Sequence, residues 1–351
     1  MMVHVGRTGT LLRLAVLCAA VGACGGLAHA DSVSDFYSHK TLTLVAGFPP
    51  GGGYDTYVRV LARHFGGFIP GKPSVVPANM PGAGSMTAAN RIYNDQPSDG
   101  TVLGEFASSV VMEPLLGNKA ARFDPTKFSW IGSMSQDVAY CGVWQMPGAA
   151  ASFSDMMRPG SKETIFGGGA PAAITYQHPM ILKNVLGANI RVIPGYAGTR
   201  DIDLAMHRGE VNGECGFYAS SIKAQFSDDV KSGRLKLVIQ MGPHKSNEFG
   251  DIPSVFDYAR TDEQRAVLEL YFNQLVLGRP LAGPPNVPAD RLAALRGAFA
   301  ATMKDKAFLA EAIKVGLDID PATATAVDGL LHHFESFPPV IFAKAREAIG
   351  R

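Results

Sequence analysis

Short apolar runs alternate with helical patterns along most of the chain. Residues 41–48 (TLTLVAGF) have the length and composition of a buried strand, and a Pro-Pro-Gly-Gly-Gly turn ends it. From about Asp55, the residues Tyr57, Val60, Leu61, His64 and Phe65 recur on one face at helical spacing. Pro70 to Pro73 interrupt the chain. Residues 74–79 then read as a strand, 85–94 as a helix, and 102–107 and 128–134 as strands. The alternation starts again with strands at 140–145 and 164–167. A helix to about Leu186, a strand at 191–194 and a helix at 200–207 follow. Strands are predicted at 211–217, 235–240 and 272–278, and helices at 289–304, 307–315 and 326–349. Alternating strands and helices imply mostly parallel sheets covered by helices. Two successive blocks of this kind imply two α/β domains, which bind ligands in the cleft between them.

Open α/β sheets bind ligands beyond the C-terminal ends of their strands. Three glycine-rich turns hold that position, at residues 48–56, 79–86 and 166–175. Glycine permits close backbone approach and positive φ. The unpaired N–H groups of a helix start favour an anion. Capture of a carboxylate or phosphate by main-chain donors follows, with tight strand-to-helix connection as the plainer alternative. On this reading a β-branched residue at Gly52 or Gly168 is poorly tolerated, because positive φ is expected there.

The N-terminus changes where this chemistry would take place. Arg7 and Arg13 precede an apolar stretch from Leu14 to Leu27, and Ala28-His29-Ala30 offers small residues before Asp31. That is the pattern of a cleavable signal peptide over residues 1–30. The stretch is short for a bilayer span, the alternative reading. Val21-Gly22-Ala23-Cys24 also has lipoprotein character, with Cys24 as the lipidated residue. Cleavage would take two arginines and no acid from 32 basic and 31 acidic residues, leaving a formal charge of −1. A balance so near zero removes the electrostatic case for nucleic-acid binding. After cleavage only Cys141 and Cys215 remain. In an oxidising compartment they are a candidate disulfide, with two buried free thiols as the alternative.

Other chemistries lack their parts. Gly51-Gly52-Gly53-Tyr54-Asp55-Thr56 has no P-loop lysine, and neither glycine turn gives GxGxxG with an acid at the right distance. Gly82-Ala83-Gly84-Ser85-Met86 is not a GxSxG elbow. His332 and His333 are adjacent, so on a helix they point apart and read as solvated. Two cysteines are too few for a structural zinc site. No cofactor, no metal and no enzymatic activity are expected.

Within residues 36–104 lie FYSHKTLTLVAGFPPGGGYDTYVRVLARHF, VVPANMPGAGSMTAANRIYN and PSDGTVLG. Together these segments resemble the Bug, or TctC-type, extracytoplasmic solute receptors of tripartite tricarboxylate transporters. The resemblance continues through residues 194–213 and 281–291. It implies a periplasmic-binding-protein-like fold of two α/β domains hinged around a cleft. Residues 31–138 and 271–351 would form one domain and 139–270 the other. It implies a small organic carboxylate as ligand, membrane transporter subunits as partners, and a monomer. Carried over by position, the first jaw is Phe48, Pro49, Gly51, Gly52, Gly53 and Asp55, with Asp55 read as the N-cap of its helix. The second is Gly167, Gly168, Gly169 and Ala170. Gly82, Ala83, Gly84, Ser108, Ser109 and Tyr196 would flank the ligand, and Arg200 is a candidate for a second acidic group.

Three departures fall in the second half of the cleft. Gly-Gly-Gly-Ala-Pro-Ala-Ala carries fewer hydroxyl or amide groups than is usual, Pro179 lies inside the following helix, and Cys215-Gly216 replaces bulkier and acidic residues. They leave the ligand class intact and its identity open. A receptor of the same fold that signals to a membrane sensor is the alternative function. An exported hydrolase would need a nucleophile–base constellation that the sequence lacks.

Overall fold

The computed structural model describes residues 1–2 and 28–350. The basic start, the apolar run, Cys18 and Cys24 of the export reading lie outside the described residues. Helix α1 (Ala28–Ser38) runs through Ala28-His29-Ala30. Among the described residues no helix is long and apolar enough to cross a membrane.

Two sheets organise the chain. The first holds β1 (Thr41–Ala46), β2 (Ser74–Asn79), β3 (Val102–Glu105), β4 (Ser129–Ser133), β10 (Pro280–Gly283) and β11 (Ala322–Thr323), in the order β11-β4-β10-β3-β1-β2. The second holds β5 (Ala139–Trp144), β6 (Thr164–Gly167), β7 (Ile190–Ile193), β8 (Gly213–Tyr218) and β9 (Leu235–Met241), in the order β7-β6-β8-β5-β9. The helices between them are α2 (Gly53–Phe65), α3 (Met86–Asp95), α4 (Phe153–Met157), α5 (Ile174–Asn184) and α6 (Thr199–His207). A helical run over residues 219–231, α7, contains the π segment Ile222–Phe226. After it come α8 (Asp262–Phe272), α9 (Ala289–Thr302), α10 (Lys306–Lys314), α11 (Ala324–Glu335) and α12 (Pro339–Ala348).

The sheets are mixed, which corrects the expectation of mostly parallel ones. Strands joined through helices run parallel, as β1 does with β2 and β3 and β6 with β7 and β8. The pairings of β10 with β3 and β4, β11 with β4, and β5 with β8 and β9 are antiparallel. The reason lies in the connections. The chain passes between the sheets through residues 134–138 and 242–279, so strands beside those passages arrive from the opposite direction. Residues 272–278 are also not a strand: α8 ends at Phe272 and a 3₁₀ turn, Asn273–Val276, follows. A short apolar run does not distinguish strand from buried helix. The expected last helix is two helices, parted at Ser336 to Pro338 where proline restricts the backbone.

Packing follows the apolar periodicities. Tyr57, Leu61 and Phe65 of α2 lie on Leu42, Leu44, Leu103 and Leu281, with Phe299 and Phe308 from α9 and α10 behind them. Ile202, Met206, Phe217 and Phe226 form a cluster on the second sheet. A third cluster runs from Phe106 and Trp130 to Phe166 and Phe272 and so touches both sheets. Each such side chain contributes about 1.5–3 kcal/mol on burial. Cys141 and Cys215 face each other across β5 and β8 and form a disulfide. The last helix, α12, packs on α5 and α8, where the Asn184 amide donates to the Ala348 carbonyl and Lys344 pairs with Glu263.

Candidate functional site

The strand ends of the two sheets face each other. Pro49 follows Phe48, whose ring stacks on Tyr54 with centroids 4.4 Å apart. Gly51 has φ +85, and its N–H donates to Asp55 at 2.8 Å. Gly52 is the N-cap of α2 with φ −88, so the positive φ expected at Gly52 is found at Gly51 instead. Asp55 is therefore not the N-cap. It occupies the third helical position and reaches back to Gly51, while Arg59 and Asn79 donate to it. Burial works to raise its pKa, but these hydrogen bonds hold it below the usual carboxylate range. Asp55 thus braces the loop and leaves the first-turn amides of α2 without intrahelical partners.

Residues 82–85 form a run of unusual backbone: Gly82 at φ +141, Ala83 at +48, Gly84 at +65 and Ser85 at +73. Non-glycine residues rarely hold such values, so this stretch stores strain. The Ser85 hydroxyl accepts from the Ala107 N–H at 2.8 Å, which ties it to the loop bearing Ser108 and Ser109.

On the other sheet, Gly167 ends β6 so close to α6 that a Cβ would lie 2.6 Å from Ile202. The Gly168 N–H donates to the Ile193 carbonyl and the Gly169 N–H to the Thr175 hydroxyl. Two of the expected anion donors are therefore engaged within their own lobe. Gly168 is not in the positive-φ region either; a Cβ there would lie 2.8 Å from Val192. Ala170 accepts from Ala173, whose position caps α5, and the Tyr196 N–H donates to the Gly168 carbonyl. The first turn of α5, from Ile174, supplies the helix-start amides of this loop, and it is buried against Gly84 of the facing loop.

These loops touch. The Ser109 hydroxyl donates to the Ala172 carbonyl at 3.0 Å, and the Ser108 hydroxyl lies 3.3 Å from that of Tyr218. A Cβ on Gly84 would sit 2.7 Å from the Ala173 nitrogen; one on Gly51 would sit 3.7 Å from Arg200. At Gly53 it would meet the Ser221 hydroxyl at 3.1 Å and the Arg279 guanidinium at 3.4 Å. Further out, Lys223 pairs with both Glu248 and Asp318 and so ties α7 to the segment before β11. An open surface groove of about 570 Å³ lies elsewhere, against α5, α8 and α12.

Beneath the meeting loops is a charged cluster that the sequence reading missed. Arg279, just before β10, is fully buried, and its guanidinium lies 4.2 Å from the ring of Tyr54, 4.7 Å from Tyr57 and 4.5 Å from Tyr218. Tyr54 and Tyr57 belong to the first sheet's α2 and Tyr218 to the second sheet. Asp137, on the crossing segment, lies 3.4 Å from Arg279 and accepts from Ser135. Burial pushes Asp137 up to about 6, with Arg279 and Ser135 opposing the rise. Glu105, at the end of β3, is fully buried, and neither carboxyl oxygen has a hydrogen-bond partner. Burial drives its pKa well above the carboxylate range. The sequence signal was present: Glu105 and Arg279 are lone charges inside apolar runs, VLGEFA and LVLGRPLA. His332 and His333 are exposed, as expected, and among the described residues no group of His, Cys, Asp or Glu is arranged to hold a metal ion.

Two mixed sheets with facing strand ends and helices on their flanks define the two-domain α/β fold of periplasmic binding proteins. Within that class the chain resembles a TctC solute-binding protein from Polaromonas, at 18% identity over 88% of this chain and 99% of that one, with a TM-score of 0.59. It also resembles the periplasmic binding protein BugD, at 18% identity, 88% and 98% coverage and a TM-score of 0.66. A third likeness is to an R. palustris protein solved with adipate, at 17% identity, 89% and 98% coverage and a TM-score of 0.67. No protein-family model and no curated protein matches the sequence.

Proposed function

We propose that the chain is a periplasmic solute-binding protein that captures a small organic carboxylate and delivers it to the membrane subunits of a tripartite tricarboxylate-type transporter. The observation that carries this reading is the meeting of the two sheets' loops, with Ser109 and Gly84 against Ala172 and Ala173 at the start of α5, and Gly51 and Gly53 at the start of α2 beside Arg200 and Ser221. Such ends favour anions. The adipate in one similar structure supports the ligand class. Phe48, Pro49, Gly51 to Gly53, Gly82 to Gly84, Ser108 and Ser109 form one wall in this proposal. Gly167 to Ala170 shape the other, with Tyr196 beside them. Residues 31–138 with 271–351, and 139–270, are the proposed domains; α12 crosses from the first to brace the second. Export by cleavage before Asp31 places the monomer outside the cytoplasmic membrane.

The test is a thermal-shift panel. A carboxylate at a hundredfold excess over its Kd stabilises the native state by about 2.7 kcal/mol. Stabilisation by mono- or dicarboxylates, with none from neutral sugars or cationic amino acids, is the expected result. The reverse pattern overturns the proposal.

A further inference from the structure

Glu105 and Arg279 share one face of the first sheet. Leu103 and Glu105 alternate along β3 with Gly104, and Leu281 pairs with Glu105, so Arg279, two residues before Leu281, falls on the same side. Glu105 lies three residues before Ser108, at the strand end where the loops meet. The titratable and charged groups near its carboxyl come from every neighbouring element: Arg279 before β10, Asp137 from the crossing segment, and Asp55 and Tyr54 from α2. None of them hydrogen-bonds to it. Two deeply buried carboxyls therefore face a single buried guanidinium. Asp137 takes the ion pair at 3.4 Å, with Ser135 as a second donor. A buried carboxyl with no hydrogen-bond donor, sharing its one nearby cation with a second acid, holds its proton.

We infer that Glu105 is a protonated carboxylic acid on the floor of the cleft, and that its hydroxyl donates a hydrogen bond to an oxygen of the bound carboxylate. The contact rests on the carboxylate-binding function proposed above; the proton does not. Glu105 thereby becomes a specificity residue: it accepts an anion beside Arg279, where an ionised Glu105 would repel one. The strong rise in its pKa on burial agrees with this charge count. No proton moves on binding. Because the donor is the acid form, affinity should fall as pH rises through the folded pKa of Glu105 and stay level below it.

Infrared spectroscopy and calorimetry test the inference on the full mature chain, with adipate, malate and benzoate as probes. The difference spectrum between wild type and Glu105→Gln, which cancels the other buried unpartnered acid, Glu214, should show a protonated-acid carbonyl band at neutral pH that moves when a probe saturates the protein. Glu105→Gln keeps an N–H donor in the same shape, so it should bind within about threefold of wild type and lose the pH dependence. Glu105→Ala should bind about tenfold more weakly or worse. Absence of the band overturns the inference. Binding with an unmoved band overturns the contact. If no probe binds while the band is present, the proposed function and the contact fall together and the proton count stands. Glu105→Gln weaker than Glu105→Ala, with wild-type affinity rising with pH, would show an ionised Glu105 paired with a ligand cation.

Discussion

Replacing Arg279 by methionine tests the buried cluster most directly. Methionine keeps an unbranched apolar stem, shorter than that of arginine, beside Tyr54, Tyr57 and Tyr218 and removes the charge. Asp137 then loses the cation 3.4 Å away and retains Ser135. Removing one partner of a buried pair costs about 3–5 kcal/mol, because the other charge stays behind uncompensated. That cost depends on pH in a defined sense. The folded pKa of Asp137, about 6, lies above its ordinary 3.8. Between those values the native state holds a proton that the unfolded chain has released. Stability from this group is therefore present at low pH and lost as pH rises through about 6. Without Arg279 the folded pKa climbs further, so the deficit of the variant opens as pH rises above 6 and closes toward acid. The slope is at most about 1.4 kcal/mol per pH unit. Urea denaturation of both proteins at about pH 5 and about pH 8, with adipate absent, measures it. A deficit below about 1 kcal/mol at pH 8, or an equal deficit at both pH values, would refute the argument. Adding Asp137→Leu to the methionine variant should recover part of the loss.

Three further outcomes are expected. His178 is buried with neither ring nitrogen hydrogen-bonded, and burial lowers its pKa to about 3. The unfolded chain takes up its proton below about pH 6.5, so wild type should lose stability relative to His178→Phe from there toward pH 3, by up to about 1.4 kcal/mol per unit; parallel curves in chemical denaturation would contradict this. The Cys141–Cys215 disulfide closes a sequence separation of 74, and chain-entropy reasoning gives about 4 kcal/mol for it. Thiol counting should find both cysteines oxidised, and reduction should lower Cm accordingly. The glycines should separate by geometry: Gly52→Ala, with only the Pro49 carbonyl at 3.9 Å from its Cβ, should fold and close as wild type, whereas Gly84→Ala, at φ +65 and 2.7 Å from Ala173, should impair closure. Ligand-induced compaction in small-angle scattering distinguishes the two, and equal compaction would defeat the geometric reading.

The architecture was legible because it is written in short-range periodicities. The strand run at 41–48, the helix through Tyr57 and Phe65 and the repeat of that pattern after residue 138 each depend on residues within one or two turns of each other. Strand direction is not local information. β10 runs against β3 because the chain returns from the second sheet after some forty residues, and neither strand records that path. Residues 272–278 misled for a related reason. Their apolar character is that of buried chain, and burial alone does not choose between strand and 3₁₀ turn.

The turns of the candidate site were legible in their glycines, and the pairing of the buried charges beneath them was not. Glycine-rich turns announce themselves at single positions, although which glycine needs positive φ depends on the full loop. Asp55 bonding back to Gly51 sets that choice, which is why Gly51 and not Gly52 is the constrained residue. The cluster beneath is different in kind. Glu105, Asp137 and Arg279 are separated by 32 and 142 residues along the chain, and Tyr218 comes from the other sheet. Glu105 and Arg279 stand out as lone charges in apolar runs, but nothing local pairs them with each other or with Asp137. Only a buried end-point makes them a problem of counting: two acids and one base, enclosed together. Such an imbalance is costly to maintain in a core that serves stability alone, since apolar residues of the same volume would do better there. Its position under the loops that meet at Ser109 and Ala172 is why the proposal above assigns it to ligand binding and not to stability.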